Sequence, residues 1–133
     1  MTTNQSTFKS RGGVMRLFRA LRYSAQGLCA ALRHEAAFRQ ELAFFVVLCP
    51  VAIWLGRSAT EIFFLIGSMV LVLIVELINS ALEAIADAVT LEHHPLIGRA
   101  KDLGSAAVLL AIMFSVVAWL WVIVSVLSAG PAG

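Results

Sequence analysis

The chain has 133 residues, of which 60% are hydrophobic and only 14% charged, with a mean hydropathy of +0.90 and a formal net charge of +2. A water-soluble domain of this length needs far more charge to cover its surface, so the composition excludes an ordinary soluble globule and implies a single domain dissolved in a bilayer. The two cysteines, Cys29 and Cys49, have no metal-type spacing and read as free thiols, which excludes a disulfide framework.

Residues 1–13 are rich in Thr, Ser, Asn and Gly and are expected to be disordered; they show no signal-peptide pattern. From Val14 onwards apolar and polar residues alternate with helical spacing. Leu17, Leu21, Leu28, Leu32 and Ala36 fall on one side, with Arg16, Arg19, Arg22, Arg33 and Glu35 spread around the other. This predicts an amphipathic surface helix over 14–38, either continuous or broken near Ser24 to Gly27, lying on the membrane. Up to Glu41 there are seven basic residues against two acidic ones, a skew suited to anionic lipid head groups.

A first span is expected over about 40–56, built on the apolar run Leu42 to Leu55 with Pro50 inside it. After a short turn at Gly56 to Thr60, a second span is expected over 61–87. A third, over 102–127, has no charge from Leu103 to Leu127 and carries Trp119 and Trp121 towards its far end, where indoles favour the head-group boundary. The prediction is an all-α membrane protein with one interfacial helix and three transmembrane helices. Nine of the ten Lys and Arg lie in the N-terminal segment or the second loop, and only Arg57 lies in the first loop. The positive-inside rule then places the N-terminus and second loop in the cytoplasm and the C-terminus outside.

The chemistry is concentrated in the second span. Glu76, Asn79, Ser80, Glu83 and Asp87 fall within an arc of roughly 100° on one helix face, opposite the apolar Leu77, Ile78, Leu82 and Ile85. Glu76 follows fourteen uncharged residues, Ile62 to Val75. Acidic groups at the edge of a hydrocarbon core are costly unless paired, hydrated or metal-bound, and three along one stripe repel one another. A cation is their natural counterpart. A carboxylate at that edge can take a proton from a lipid hydroxyl that a soluble enzyme cannot reach. No P-loop and no protein-kinase motif is present, yet the parts that phosphoryl transfer needs have candidates. Glu35 and Glu83 offer oxygen ligands for Mg²⁺, and Arg16, Arg99 and Lys101 offer charge for phosphates.

The run Glu76-Leu-Ile-Asn79-Ser80-Ala-Leu-Glu83-Ala-Ile-Ala-Asp87 resembles the signature of the prokaryotic diacylglycerol kinases, small three-span membrane enzymes. Glu35-Ala-Ala-Phe-Arg39-Gln40-Glu41 looks like that family's interfacial motif, and Gly98-Arg99-Ala-Lys101-Asp102-Leu-Gly104-Ser105-Ala-Ala like its second-loop motif. The resemblance covers nearly the whole chain, in order and without gaps. It implies transfer of the γ-phosphoryl group of ATP, with Mg²⁺, to the hydroxyl of diacylglycerol, giving phosphatidic acid. It implies Glu76 as general base with Asn79 positioned beside it, and Glu35 and Glu83 as metal ligands. Arg16, Tyr23, Ser24, Glu92, His93, His94, Lys101 and Asp102 would contact the nucleotide. Arg39, Gln40, Glu41 and Glu76 would meet the lipid substrate. It further implies a homotrimer with sites shared between neighbours, which fits the difficulty of enclosing a polar stripe with three spans alone. Three positions depart from the pattern: Ala86 replaces a branched aliphatic, Leu21 replaces a small residue, and His94-Pro95 stiffens the second loop.

Plainer readings hold for other residues. The His93–His94 pair lacks further ligands and reads as solvated loop. Arg19, Arg22 and Arg33 read as lipid anchors, and Gly104 and Ser105 as small residues that permit close helix packing. Two alternatives to a diacylglycerol kinase remain at this stage, a polyprenol kinase of the related branch and an oligomeric cation conduit lined by Glu76 and Glu83.

Overall fold

A computed structural model describes residues 13–89 and 94–128, and the chain there consists of four helices: α1 (Gly13–His34), α2 (Ala36–Leu55), α3 (Ala59–Val89) and α4 (Pro95–Ser128). The segment expected to be disordered lies outside the described residues except for Gly13, which opens α1. The last three helices are long and apolar enough to cross a membrane. The all-α architecture with three candidate spans is thus as expected, while several boundaries differ.

α1 is one unbroken helix through Ser24 and Gly27. It buries only Ala31 and leaves Leu17, Phe18, Leu21 and Leu28 open, as an amphipathic helix does when the bilayer covers its apolar side. It stops at His34, short of the expected 38, because Glu35 adopts an extended conformation (φ −101°, ψ 110°) and the chain turns there into α2. Ala31 and Phe38, on either side of that bend, are both buried. The guanidinium of Arg39 closes the corner by donating from Nη1 to the carbonyls of Leu32 (3.3 Å) and Arg33 (3.4 Å) at the end of α1, where no further helical N–H is available.

Pro50 sits inside α2 on an exposed face. α2 ends at Gly56, whose backbone N–H donates to Ala52 O. A Cβ there would lie 2.4 Å from Ile62 Cγ1, so glycine is required by the tightness of the turn. Ser58 Oγ accepts from Glu61 N–H (3.2 Å) and Glu61 Oε2 accepts from Arg57 N–H (2.8 Å), a reciprocal cap that starts α3. Across the same end of the molecule, Arg57 Nη2 donates to Val126 O at 2.6 Å and Nη1 to Ser125 O at 3.5 Å, tying the first loop to the last turns of α4.

α3 is the centre of the molecule, packing most extensively against α4 and next against α2. Its buried residues, Leu65, Ser68, Met69, Val72, Glu76, Asn79 and Ala86, fall on one side of the helix, with the polar Glu76 and Asn79 following the mainly apolar stretch from Leu65 to Val72. Near the first loop, Ala52, Leu65 and Val122 form a core with Leu55, Ile66, Trp119 and Val126 around it. Midway, Ser68 Oγ and Ser115 Oγ share a buried hydrogen bond of 3.1 Å between α3 and α4. With 31 residues α3 is about 46 Å long, against a hydrocarbon thickness of about 30 Å. The helix is therefore longer than the hydrocarbon layer, and Glu76, Asn79, Glu83 and Asp87 occupy its half towards the second loop. α4 likewise starts earlier than the expected 102. Pro95 occupies its first turn, where a missing N–H does no harm, and His94 Nδ1 accepts from Leu96 N–H at 3.3 Å.

Candidate active site

Glu76 is 5% exposed and Asn79 is 9% exposed, so one protomer already encloses the head of the polar stripe. The α3–α4 contact supplies the cover, with Gly104 of α4 standing opposite Asn79. Ser80 and Glu83 are half-buried and Asp87 is exposed, so the stripe opens progressively towards the second loop.

Asn79 Nδ2 donates to Glu83 Oε1 at 3.0 Å, one turn along α3. Asn79 Oδ1 and Ser80 Oγ are buried without a hydrogen-bond partner, as is Glu41 Oε2 on α2. Glu76 is close enough to feel the charges of Glu35 and Glu83, and Glu41 that of Glu76, so the carboxylates of α2, its N-cap and α3 repel one another. Such a group repels itself and favours a cation or a proton among its members. No three His, Cys, Asp or Glu side chains form a closed metal cage among the described residues. Mg²⁺ bound with a nucleotide takes one or two carboxylates and completes its shell with phosphate oxygens and water, and Glu35 and Glu83 are the residues that could supply them. Glu35 fits such a role. It occupies the N-cap position of α2, yet its side chain makes no capping bond.

Two spaces lie along α3 within a helical turn of Glu76, whose side chain lines neither. The first, about 400 Å³, lies between α2, α3 and α4 and is lined by Phe44, Phe45, Leu48, Met69 and Val72, with Gln40, Glu41 and Ser115 as its polar contributors. The second, about 720 Å³, separates α1 from α3 and is lined among others by Ser24, His34, Glu35, Ser80 and Ala84. Val72 belongs to the first and Ser80 to the second, and Glu76 stands one helical turn from each.

The remaining expected residues divide clearly. Lys101 Nζ pairs with Asp87 Oδ1 at 2.5 Å. Asp102 is exposed on the same turn, and His94 is exposed at the start of α4, where it caps the helix. Ser24 lines the α1–α3 cleft, whereas Arg16 and Tyr23 are exposed on α1, and among the described residues no hydrogen bond joins either to the acidic cluster. Arg39 is engaged in closing the α1–α2 corner, while Gln40 and Glu41 line the apolar space. Glu92 and His93 lie outside the described residues. His34 was not singled out from the sequence and lines the cleft beside Glu35. Its only sequence signal is its place directly before that acid.

Residues 22–123 match the family model for prokaryotic diacylglycerol kinase. The chain is 49% identical over 107 residues to a diacylglycerol kinase of Escherichia coli (strain K12), covering 80% of this chain and 88% of the relative. A diacylglycerol kinase of Pseudomonas aeruginosa is 49% identical over 114 residues, covering 86% and 93%. One from Haemophilus influenzae is 41% identical over 107 residues, covering 80% and 91%. With a matched segment that includes Glu35, Glu76, Asn79, Glu83 and Lys101 and relatives aligned over most of their length, the chain belongs to the prokaryotic diacylglycerol kinase family of membrane lipid kinases.

Proposed function

We propose that the protein transfers the γ-phosphoryl group of Mg-ATP directly to the hydroxyl of diacylglycerol, forming phosphatidic acid and ADP, with Glu76 as general base. The observation that carries this reading is the position of Glu76. It is buried on α3 one turn from Val72, which lines an apolar space between α2, α3 and α4, and one turn from Ser80, which lines a cleft that also holds Glu35, and this placement supports a reading in which lipid and nucleotide meet beside it.

In this reading the acyl chains lie against α2, α3 and α4, with Gln40 and Glu41 near the glycerol. Glu76 takes the hydroxyl proton as the oxygen attacks the γ-phosphorus and the bond to the β-phosphate oxygen breaks. Glu35 and Glu83 hold the nucleotide's Mg²⁺, which when bound offsets charge on the phosphates. Asn79 orients Glu83. Lys101 exchanges Asp87 for a phosphate, with Asp102, His94, Glu92, His93, Ser24, Tyr23 and Arg16 around the nucleotide. The homotrimer is part of the proposal. Glu35, Glu83 and Asp87 remain partly open in one protomer, and a neighbour would complete their surroundings. The distribution of basic residues supports insertion in the bacterial cytoplasmic membrane with α1 and the second loop on the cytoplasmic side.

The test is transfer of labelled γ-phosphate from Mg-ATP by purified protein in mixed micelles containing diacylglycerol or, separately, undecaprenol. Labelled phosphatidic acid in excess of polyprenyl phosphate supports the reading, and the reverse moves the substrate to a polyprenol. No labelled lipid from an intact oligomer removes the kinase reading, and cation flux in vesicles then becomes the measurement. Glu35→Gln separates the two functions, because it should abolish lipid phosphorylation and leave flux largely unchanged.

A further inference from the structure

Of the described glycines, Gly13, Gly27, Gly67 and Gly98 have nothing within 4 Å of where a Cβ would stand. Gly104, in the third turn of α4, is different. A Cβ there would lie 2.2 Å from Asn79 Oδ1, 3.4 Å from Asn79 Cγ and 3.8 Å from Leu82 Cδ2. The same Asn79 Oδ1 is buried and has no hydrogen-bond donor, while the other end of the carboxamide donates to Glu83.

These observations explain one another. The amide cannot be turned over, because its oxygen would then face the Glu83 carboxylate and two acceptors would meet. With Nδ2 on Glu83, the oxygen must point at α4, whose backbone N–H groups are committed to its own helix. It can fit only where α4 offers no side chain, and at Gly104 a Cα hydrogen stands where another residue has a methyl group. Hydrogen atoms on Cα form weak contacts with oxygen at helix–helix interfaces, with C···O near 3.3–3.6 Å. An alanine would have to gain about 1 Å to reach that separation, by moving α4 or by swinging the amide off Glu83. A shift of that size turns a 3.0 Å hydrogen bond into no bond.

We propose that Gly104 is a positioning residue of the site: its missing side chain forms the seat in α4 that holds the Asn79 carboxamide and, through it, the Glu83 carboxylate. This goes beyond close packing of small residues, and it rests on the reading in which Glu83 holds the nucleotide's cation.

A double-mutant cycle between Gly104→Ala and Asn79→Ala tests it, with Gly67→Ala as the control. Turnover with diacylglycerol, the half-saturating Mg²⁺ concentration and the thermal midpoint are measured for each. Gly104→Ala is expected to lower kcat or raise half-saturating Mg²⁺ by about 10–100-fold, the range found when a group supporting a metal ligand is removed. In the Asn79→Ala background the same substitution should change neither quantity further, since the amide that it displaces is gone. If Gly104→Ala is harmless, or costs as much with Asn79→Ala as without it, the assignment is overturned. Should Gly104→Ala fail to fold, Asn79→Ala/Gly104→Ala must recover the thermal midpoint of Asn79→Ala, and a double variant that also fails overturns the contact. Absence of phosphoryl transfer by both the unaltered protein and Gly67→Ala would instead mark failure of the kinase reading, and the thermal cycle would still report on the seat.

Discussion

Lys101 Nζ lies 2.5 Å from Asp87 Oδ1, an ion pair that joins α3 to α4 on the side of the second loop. Both side chains are substantially exposed, at 38% and 55%, so the pair adds little to stability. In the proposed mechanism the pair keeps the Lys101 ammonium in place until it exchanges one carboxylate for the greater charge of a nucleotide phosphate. Lys101→Ala is therefore expected to raise the KM for Mg-ATP about tenfold or more, with the thermal midpoint nearly unchanged. Asp87→Asn removes only the competitor and should not raise that KM. Steady-state kinetics of the two variants decide the matter, and equal damage from both would mean that the pair is architectural.

Glu76→Gln keeps the shape of the side chain and removes its basicity. Turnover is expected to fall by about 10²–10⁴-fold, the usual worth of a positioned base. The oligomer should stay intact and be no less stable, because a neutral amide relieves the repulsion from Glu35, Glu41 and Glu83. Lipid phosphorylation and size-exclusion chromatography of one preparation check both halves. A variant with near-normal turnover would remove Glu76 from the role of base.

Arg39 distinguishes a corner clamp from a substrate contact. Because it donates to Leu32 O and Arg33 O, its loss should loosen the bend that carries Glu35. Arg39→Ala is expected to shift the half-saturating Mg²⁺ concentration several-fold, by loosening a group that holds a metal ligand. The KM for diacylglycerol should move little. The opposite pattern would return Arg39 to the lipid.

Arg57 ties the first loop to the end of α4 through Val126 O and Ser125 O. Hydrogen bonds from a charged donor contribute about 1.5–3 kcal/mol, and exposure reduces this. Arg57→Ala should destabilise the protein by about 1–2 kcal/mol in reversible unfolding by detergent, with kcat at low temperature unchanged. The site lies at the other end of α3, so activity is insulated from this change.

Leu65 and Ser68 compare packing with polar contact in the same stretch of α3. Leu65 is fully buried, and Leu65→Ala should cost about 2–4 kcal/mol. Ser68→Ala gives up the hydrogen bond to Ser115, and interhelical bonds of this kind contribute about 0.6 kcal/mol on average. Detergent-unfolding curves should rank them in that order. The reverse order would mean that α3 and α4 are held mainly by their buried hydroxyls.

Much of this protein is legible along the chain. Runs such as Leu103 to Leu127 can only be stable in a bilayer as helices, because every backbone polar group must be satisfied within the segment. The 3.6-residue period places Glu76, Asn79 and Glu83 on one face before any neighbour is known. Less legible were the ends of elements. The bend at Glu35 interrupts a pattern that reads as continuous helix, and Pro95 starts a helix where charges read as loop.

Composition and period thus determined the spans and the acidic stripe, since these depend on the medium and on the local geometry of one helix. Which member of the stripe would be buried was decided only by tertiary structure. Glu76 and Asn79 are enclosed because α4 packs against α3 along this stretch. Glu35 joins them because the chain bends one residue before α2, and Asn79 finds room because α4 has Gly104 opposite. Contacts between residues 25 or more positions apart leave no periodic trace in a single sequence, so only the packed helices reveal them.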